Sequence, residues 1–285
     1  MKMRRYGVVL ASLAFAGLVP GLSAGQEASP NPSRLVLEYD AGLAGISLGE
    51  FKVIATFAGN AYDMRAQGEF SLLAGLIFKA TGETASNGTL TGARPQPARF
   101  TLKYVGSKKS EERRIDFDGG AVSDVSIVPQ KKRRDLRKVP ITTEQLQGVL
   151  DPFTAALLSV RSDAPAGDVS VCHGTIPVFE GKQRFDITLA PKRSETLGNG
   201  KPKGLPRRAA VCQVRYRPIS GYRPDHPGVQ YMAKNEKVEV WLVPAPETDF
   251  YIPYRIVIPT TLGSGTVDLT GLKVKSGALK RAATP

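Results

Sequence analysis

From Leu35 onward the hydrophobic positions recur every second residue. Leu35, Leu37 and Tyr39 alternate with Val36, Glu38 and Asp40, and Phe51, Val53, Ala55 and Phe57 share one face opposite Lys52 and Thr56. A period of two places alternate side chains on opposite faces of a strand, so both runs predict half-buried β-strands. Gly59-Asn60 predicts a turn, Ala61–Phe70 another strand, and a strand through residues 76–83 leads to Asn87-Gly88, a strong hairpin signal. Phe100, Leu102 and Tyr104 continue the alternation. Turns at Ser107–Ser110 and Asp118-Gly119-Gly120 then flank strands at Arg113–Phe117 and Ala121–Val128.

The period changes near the middle. Thr142 with Gln145, and Ile141 with Leu146, form a capping box and hydrophobic staple. Asp151-Pro152 reads as an N-cap and first turn. The spacing predicts helices at 143–149 and 152–160, the second with Phe153, Ala156, Leu157 and Val160 on its apolar face. Alternation then resumes over Val169–Val178, Arg184–Leu189, Ala210–Arg217, Val238–Val243, Tyr251–Ile258 and Thr266–Val274, with a turn at Glu180-Gly181-Lys182. The fold class that follows is mainly all-β. One large antiparallel sheet curls, or opens out as a partial barrel, around a helical insert at 142–160.

The first residues alter the picture of where this sheet works. Lys2, Arg4 and Arg5 precede an uncharged apolar run, Tyr6–Leu22, and the small residues Ser23, Ala24 and Gly25. That order is a secretory signal, cleaved near residue 25. The apolar run falls short of a membrane span, and none is expected in the mature chain. The expected organisation is a signal at 1–25, an arm at 26–34, a single domain at 35–275 and a tail at 276–285. The expected location is the periplasm.

The whole chain carries a formal net charge of +13; losing three basic and no acidic residues with the signal leaves +10. Basic residues crowd 129–138 and 191–208, both read as solvated loops. An exported basic protein meets anionic envelope surfaces, so an anionic surface is an expected partner and nucleic acid is not. Two cysteines, Cys172 and Cys212, each in a β-like run, predict one disulfide in an oxidising compartment.

Candidate chemistry is sparse. Gly45-Ile46-Ser47-Leu48-Gly49 matches G-x-S-x-G, but a strand follows it where a nucleophile elbow needs a helix, so a glycine turn is the simpler account of Ser47. His173 and His226 lack the spacing of a zinc site. No phosphate loop or dinucleotide fingerprint occurs. No cofactor, metal or catalytic residue is therefore assigned, and the protein is expected not to be an enzyme. The arginines Arg184, Arg215, Arg217 and Arg255 sit at alternating strand positions, and Tyr222 and Arg223 lie in the Tyr216–Pro224 segment. Two readings stand. These six residues form a binding surface for anionic groups, or the arginines are spent in cross-strand pairs with Asp186, Glu239 or Glu180.

Phe179–Asp186, Cys212–Pro224, Gly148–Phe153 with Leu157-Leu158, Glu239–Leu242 and Ile252–Ile256 together resemble the exported proteobacterial family catalogued as domain of unknown function 3108. The likeness runs from about Leu35 to Leu272; the basic stretches near 130–138 and 191–208 depart from it. The resemblance implies no activity. It implies a curled sheet similar to the cradles of lipoprotein carriers, and hence a lipid or lipoprotein ligand in the concave face. The alternatives are a scaffolding envelope protein acting through its basic surface and the Tyr216–Pro224 loop, or a hydrolase.

Overall fold

The structure is a computed structural model that describes residues 33–72, 78–91, 94–107, 109–130 and 135–275. The expected signal, most of the arm, the tail, and Lys131–Arg134 of the first basic stretch lie outside the described residues.

Seven strands form an antiparallel meander: β1 (Ser33–Leu43), β2 (Ile46–Ala58), β3 (Ala61–Leu72), β4 (Phe78–Thr89), β5 (Gln96–Gly106), β6 (Ser110–Asp118) and β7 (Ala121–Val128). After the insert come β8 (Thr175–Phe179), β9 (Arg184–Thr196), β10 (Arg208–Ser220), β11 (Glu239–Pro244), β12 (Tyr251–Thr260) and β13 (Gly263–Lys275). The chain's last strand pairs with its first, so one 13-stranded sheet runs β7-β6-β5-β4-β3-β2-β1-β13-β12-β11-β10-β9-β8. The all-β expectation holds, and the alternation is the reason. Leu35, Leu37, Tyr39, Val53, Ala55 and Phe57 are all buried in one core, with Met64, Phe100 and Ile115 from strands further along.

The outermost strands β7 and β8 are joined by a strap instead of pairing directly. Gly148 N donates to Gly120 O at 2.8 Å at the head of β7, and Leu150 N to Pro177 O at 2.8 Å on β8. Phe179 N returns a bond to Leu150 O at 2.9 Å. Across the same seam Arg113 and Lys182 pair with Glu180 and Glu111. The β8 edge and the head of β7 are thereby capped, and an open edge would otherwise invite pairing with other chains.

Several local expectations are corrected. The helix expected at 143–149 is a single 3-10 turn, Glu144–Leu146; Gly148, at φ +63°, ends it and the chain becomes the strap. Only half of the capping box forms, Thr142 N donating to Gln145 Oε1 at 3.3 Å. The second helix, α1 (Pro152–Leu158), is present and capped by Asp151, but its buried side is Phe153, Thr154, Leu157 and Leu158, with Ala156 exposed. Asn87-Gly88 makes no hairpin. Both residues lie inside β4, opposite Asp63 and Tyr62 of β3, at a bulge against β5. A Cβ on Gly88 would overlap the carbonyl of Gln96 and lie 2.7 Å from Pro97 Cα, so the glycine serves close backbone approach.

The first third of the basic stretch 191–208 is strand, and residues 197–207 form the loop expected there. β9 continues to Thr196, with Pro191 opposite Cys212 and a bulge beside it that absorbs the missing N–H. Lys192 and Arg193 there pair with Glu239. Cys172 caps a 3-10 turn, Val169–Val171, where a strand was expected. A helix no periodicity announced, α2 (Pro227–Lys234), follows β10.

Candidate functional site

The site begins with how α1 is held. Asp151 is fully buried, and its Oδ1 accepts hydrogen bonds from Phe153 N at 3.0 Å and Thr154 N at 2.9 Å. Its Oδ2 accepts from Ser86 Oγ on β4 at 2.9 Å. Thr154 Oγ1 lies 2.9 Å from Ser86 Oγ and 3.0 Å from Tyr62 Oη on β3. Every member of this network has a partner, the condition under which buried polar groups can be tolerated. Burial pushes the Asp151 carboxyl above its usual range, against the hydrogen bonds it accepts from Thr154, Ser86 and Phe153. Burial likewise pushes Tyr62 up to about 12.

The network turns one side of α1 into the main core, which takes residues from both halves of the sheet. The other side borders empty space. Ala155, Ala156 and Ser159, with Val160 beyond them, form one wall of a cavity of about 280 Å³. The facing wall takes alternate residues from successive strands: Ile176 and Val178 of β8, Phe185, Ile187 and Leu189 of β9, Val214 and Tyr216 of β10, Val240 and Leu242 of β11. From β12 come Tyr251, Pro253, Ile256 and Ile258. The change of parity after Pro253 is produced by a bulge opposite Trp241/Leu242, which turns both halves of β12 inward. Met232 of α2 and Val238 complete the lining. Among the described residues no charged side chain lines this wall, and its hydroxyl-bearing residues are Ser159, Tyr216 and Tyr251. Tyr251 Oη donates at 2.6 Å to Ala164 O.

The Cys172–Cys212 disulfide is formed, with Cα atoms 5.2 Å apart. Both sulfurs are buried in a cluster with Leu189, Val240, Leu242 and Tyr251, four residues of the cavity wall. The bond therefore ties the 3-10 turn to β10 at the site itself.

The arginines singled out in the sequence lie elsewhere. Arg184 and Arg217 converge on Asp186, at 2.6 and 2.5 Å. Arg215 donates to Glu236 at 2.5 Å, and Arg223 to both oxygens of Asp225 at 3.0 and 2.7 Å. Arg255 pairs with Asp268 and stacks over Trp241, whose other contact of this kind is Arg193. Each of the five thus has a carboxylate partner, and they are spread along the sheet. Tyr222 belongs to a separate clamp: its carbonyl accepts from Val139 N at 2.9 Å, and Gly221 N donates to Val139 O at 2.8 Å. The Tyr216–Pro224 loop is strand as far as Ser220, with the Tyr216 ring in the cavity wall.

A family model described as protein of unknown function (DUF3108) matches residues 38–270. The chain belongs to this family. Among solved structures, it is similar to the crystal structure of a beta-barrel-like protein of domain of unknown function DUF1849 from Brucella abortus, at 10% identity and a TM-score of 0.47, covering 87% of this chain and 99% of that one. No curated protein matches the sequence.

In this DUF3108 chain the residues that sequence reasoning missed are Ser86, Tyr62 and Thr154, because hydroxyls at isolated positions carry no local signal. The cavity wall was half visible, as the apolar positions of alternating strands. Nothing in that alternation distinguishes a wall that faces a helix in contact from one that faces it across a gap.

Proposed function

We propose that the protein is a non-catalytic protein of the periplasmic envelope that holds one apolar or lipid-like chain between α1 and strands β8–β12. The observation that carries this reading is the apolar cavity, bounded by five strands and by the helix that the Asp151 network anchors to β4. Its volume, about 280 Å³, sits at the lower edge of the range of about 300–1,000 Å³ usual for small-molecule sites. That favours a single chain or a small apolar group over a whole bilayer lipid. With no charged side chain among the described residues of the wall, recognition would be by shape and burial.

The periplasmic part rests on the leader, Lys2 to Gly25, and on the paired cysteines, which suit an oxidising compartment. Among the described residues no helix is long and apolar enough to cross a membrane. The test is native mass spectrometry of protein purified from its own envelope, alongside uptake of a fluorescent fatty acid. A co-purifying apolar ligand and saturable uptake are expected. Repeated recovery without ligand, together with no uptake, would overturn the reading.

A further inference from the structure

Two hairpins lie side by side at one end of the sheet. The β1–β2 turn and the β12–β13 turn are joined by Ala44 N donating to Ser264 O at 2.9 Å, and β1 pairs with β13 down their length. Neither hairpin carries a charged side chain near its tip: Ala41–Gly49 and Ile256–Val267 are free of Asp, Glu, Lys and Arg. At the two tips stand large apolar side chains in the open, Ile46 at 56% and Leu262 at 76% exposure. Beside them, α2 exposes Tyr231, whose hydroxyl donates to Pro259 O at 3.0 Å on the same hairpin. Lys234 and Lys237 are exposed at this edge, while the neighbouring Glu236 is paired with Arg215.

Exposed apolar residues scattered singly need no explanation. Here two crown adjacent tips that bear no charge, with an aromatic and two lysines set behind them. We propose that the paired hairpin tips dock on an anionic lipid bilayer, Ile46 and Leu262 entering the headgroup–acyl boundary while Lys234 and Lys237 meet lipid phosphates. The dimensions agree. Asp40 and Glu50, the first charges on β1–β2, stand opposite one another in the ladder, their backbones about 10 Å down the strands from the turn. Interfacial elements bury about 5–10 Å, so Ile46 can enter the acyl boundary with the Asp40 carboxylate, which accepts from Ser47 Oγ at 2.6 Å, left in the headgroup zone. A tyrosine at the level of the lysines suits the headgroup zone, where amphipathic rings are enriched.

The cavity lies next to this end. Ile258, which lines it, pairs with Gly265 on the hairpin, and Met232, also in the lining, adjoins Tyr231. Docking would bring the cavity beside the membrane and so deepens the ligand reading, but it stands or falls by a separate measurement.

The experiment places an indole at the tip by Leu262→Trp in the full chain and follows emission with vesicles of phosphatidylethanolamine and phosphatidylglycerol, with brominated acyl chains as quenchers. The unsubstituted protein supplies the Trp241 background. A local reporter separates tip insertion from any binding by the apolar N-terminal run. The expected result is a blue shift and quenching of the added indole beyond the background, weakened by salt as charge attraction requires. Adding Ile46→Ser should weaken vesicle affinity of the tip by about tenfold or more, given the apolar area withdrawn. If Leu262→Trp fails to fold, Ile46→Trp reports from the sister tip. No quenching above background at either tip would overturn the proposal. So would a blue shift that grows with protein concentration in the absence of vesicles, since the occupant would then be a second copy. Fatty-acid uptake without tip quenching would leave the cavity reading standing and sink this one alone.

Discussion

Ser86 and Asp151 meet across 65 residues of sequence, the serine hydroxyl donating to the carboxylate at 2.9 Å with neither side chain reaching solvent. One belongs to a sheet strand and the other caps a helix, so their contact sets where α1 stands relative to β4. α1 also lies against β8 and β12, and the cavity is the apolar space left beside it.

Asp151→Ala should therefore destabilise strongly. It removes the cap of α1 and leaves Phe153 N and Thr154 N short of an acceptor, with Ser86 Oγ left only its contact to Thr154 Oγ1. The expected cost is about 2–4 kcal/mol, a lost cap plus buried unsatisfied donors. Asp151→Asn, which keeps one acceptor oxygen, should cost less. Urea unfolding with a shared m-value measures both, and equal stability of all three proteins would refute the role given to the network.

Stability should fall in acid. Hydrogen bonds from Arg193, Lys192 and Trp241 hold Glu239 at about 2. Burial alone would raise Glu111, but hydrogen bonds from Lys182 and Arg113 outweigh it and hold it at about 2 as well. Both sit below the usual 4.5, so their contribution is full above that value and is lost as pH falls from 4.5 toward 2. Asp151 acts in the opposite sense: its carboxyl is raised, so the cost of ionising it appears as pH rises from its usual 3.8 through the raised value. Melting temperatures taken from pH 2 to pH 7 should drop on the acid side. Glu239→Gln should flatten that drop, and Asp151→Asn should steepen it by removing the opposing slope.

Gly88→Ala tests the corrected course of β4. Its new methyl would meet the Gln96 carbonyl and Pro97, costing about 1–3 kcal/mol of strain. Gly82→Ala on the same strand, where the nearest atom is 4.0 Å away, is the control and should change stability by less than about 0.5 kcal/mol. A Gly88→Ala protein as stable as the control would return Asn87-Gly88 to a turn.

Ala156→Trp addresses the cavity without touching the core side of α1. Ala156 is exposed toward the cavity, and an indole would fill much of the space. Uptake of a fluorescent fatty acid should weaken by about tenfold or more, equivalent to about 1.4 kcal/mol. The melting temperature should hold or rise, because the added ring buries apolar area. Undiminished uptake would place the ligand elsewhere.

Local chemistry was enough for much of this architecture. Alternation over β1 and β2, the turns at Gly59-Asn60 and Asp118–Gly120, the Asp151-Pro152 helix start and the pairing of Cys172 with Cys212 are all written within a few residues or in the cysteine count. Tertiary partners decided the rest. Asn87-Gly88 has the dihedral freedom to turn, yet β3 and β5 supply ladder bonds on both sides, and the strand runs on. Pro191–Arg193 looks like a solvated loop until Glu239, on a strand 46 residues beyond Arg193, supplies the opposing charge. The same long-range pairing absorbed Arg215, Arg217 and Arg255, which the sequence offered as part of a binding surface, while Arg184 and Arg223 found carboxylates two residues away. The cavity, finally, is a distance between two apolar surfaces, and periodicity reports that a surface is apolar but not how far away its partner stands. The anchoring of α1 on β3 and β4 was set by Ser86, Tyr62 and Thr154, whose hydroxyls acquire a role only when the fold brings them to Asp151.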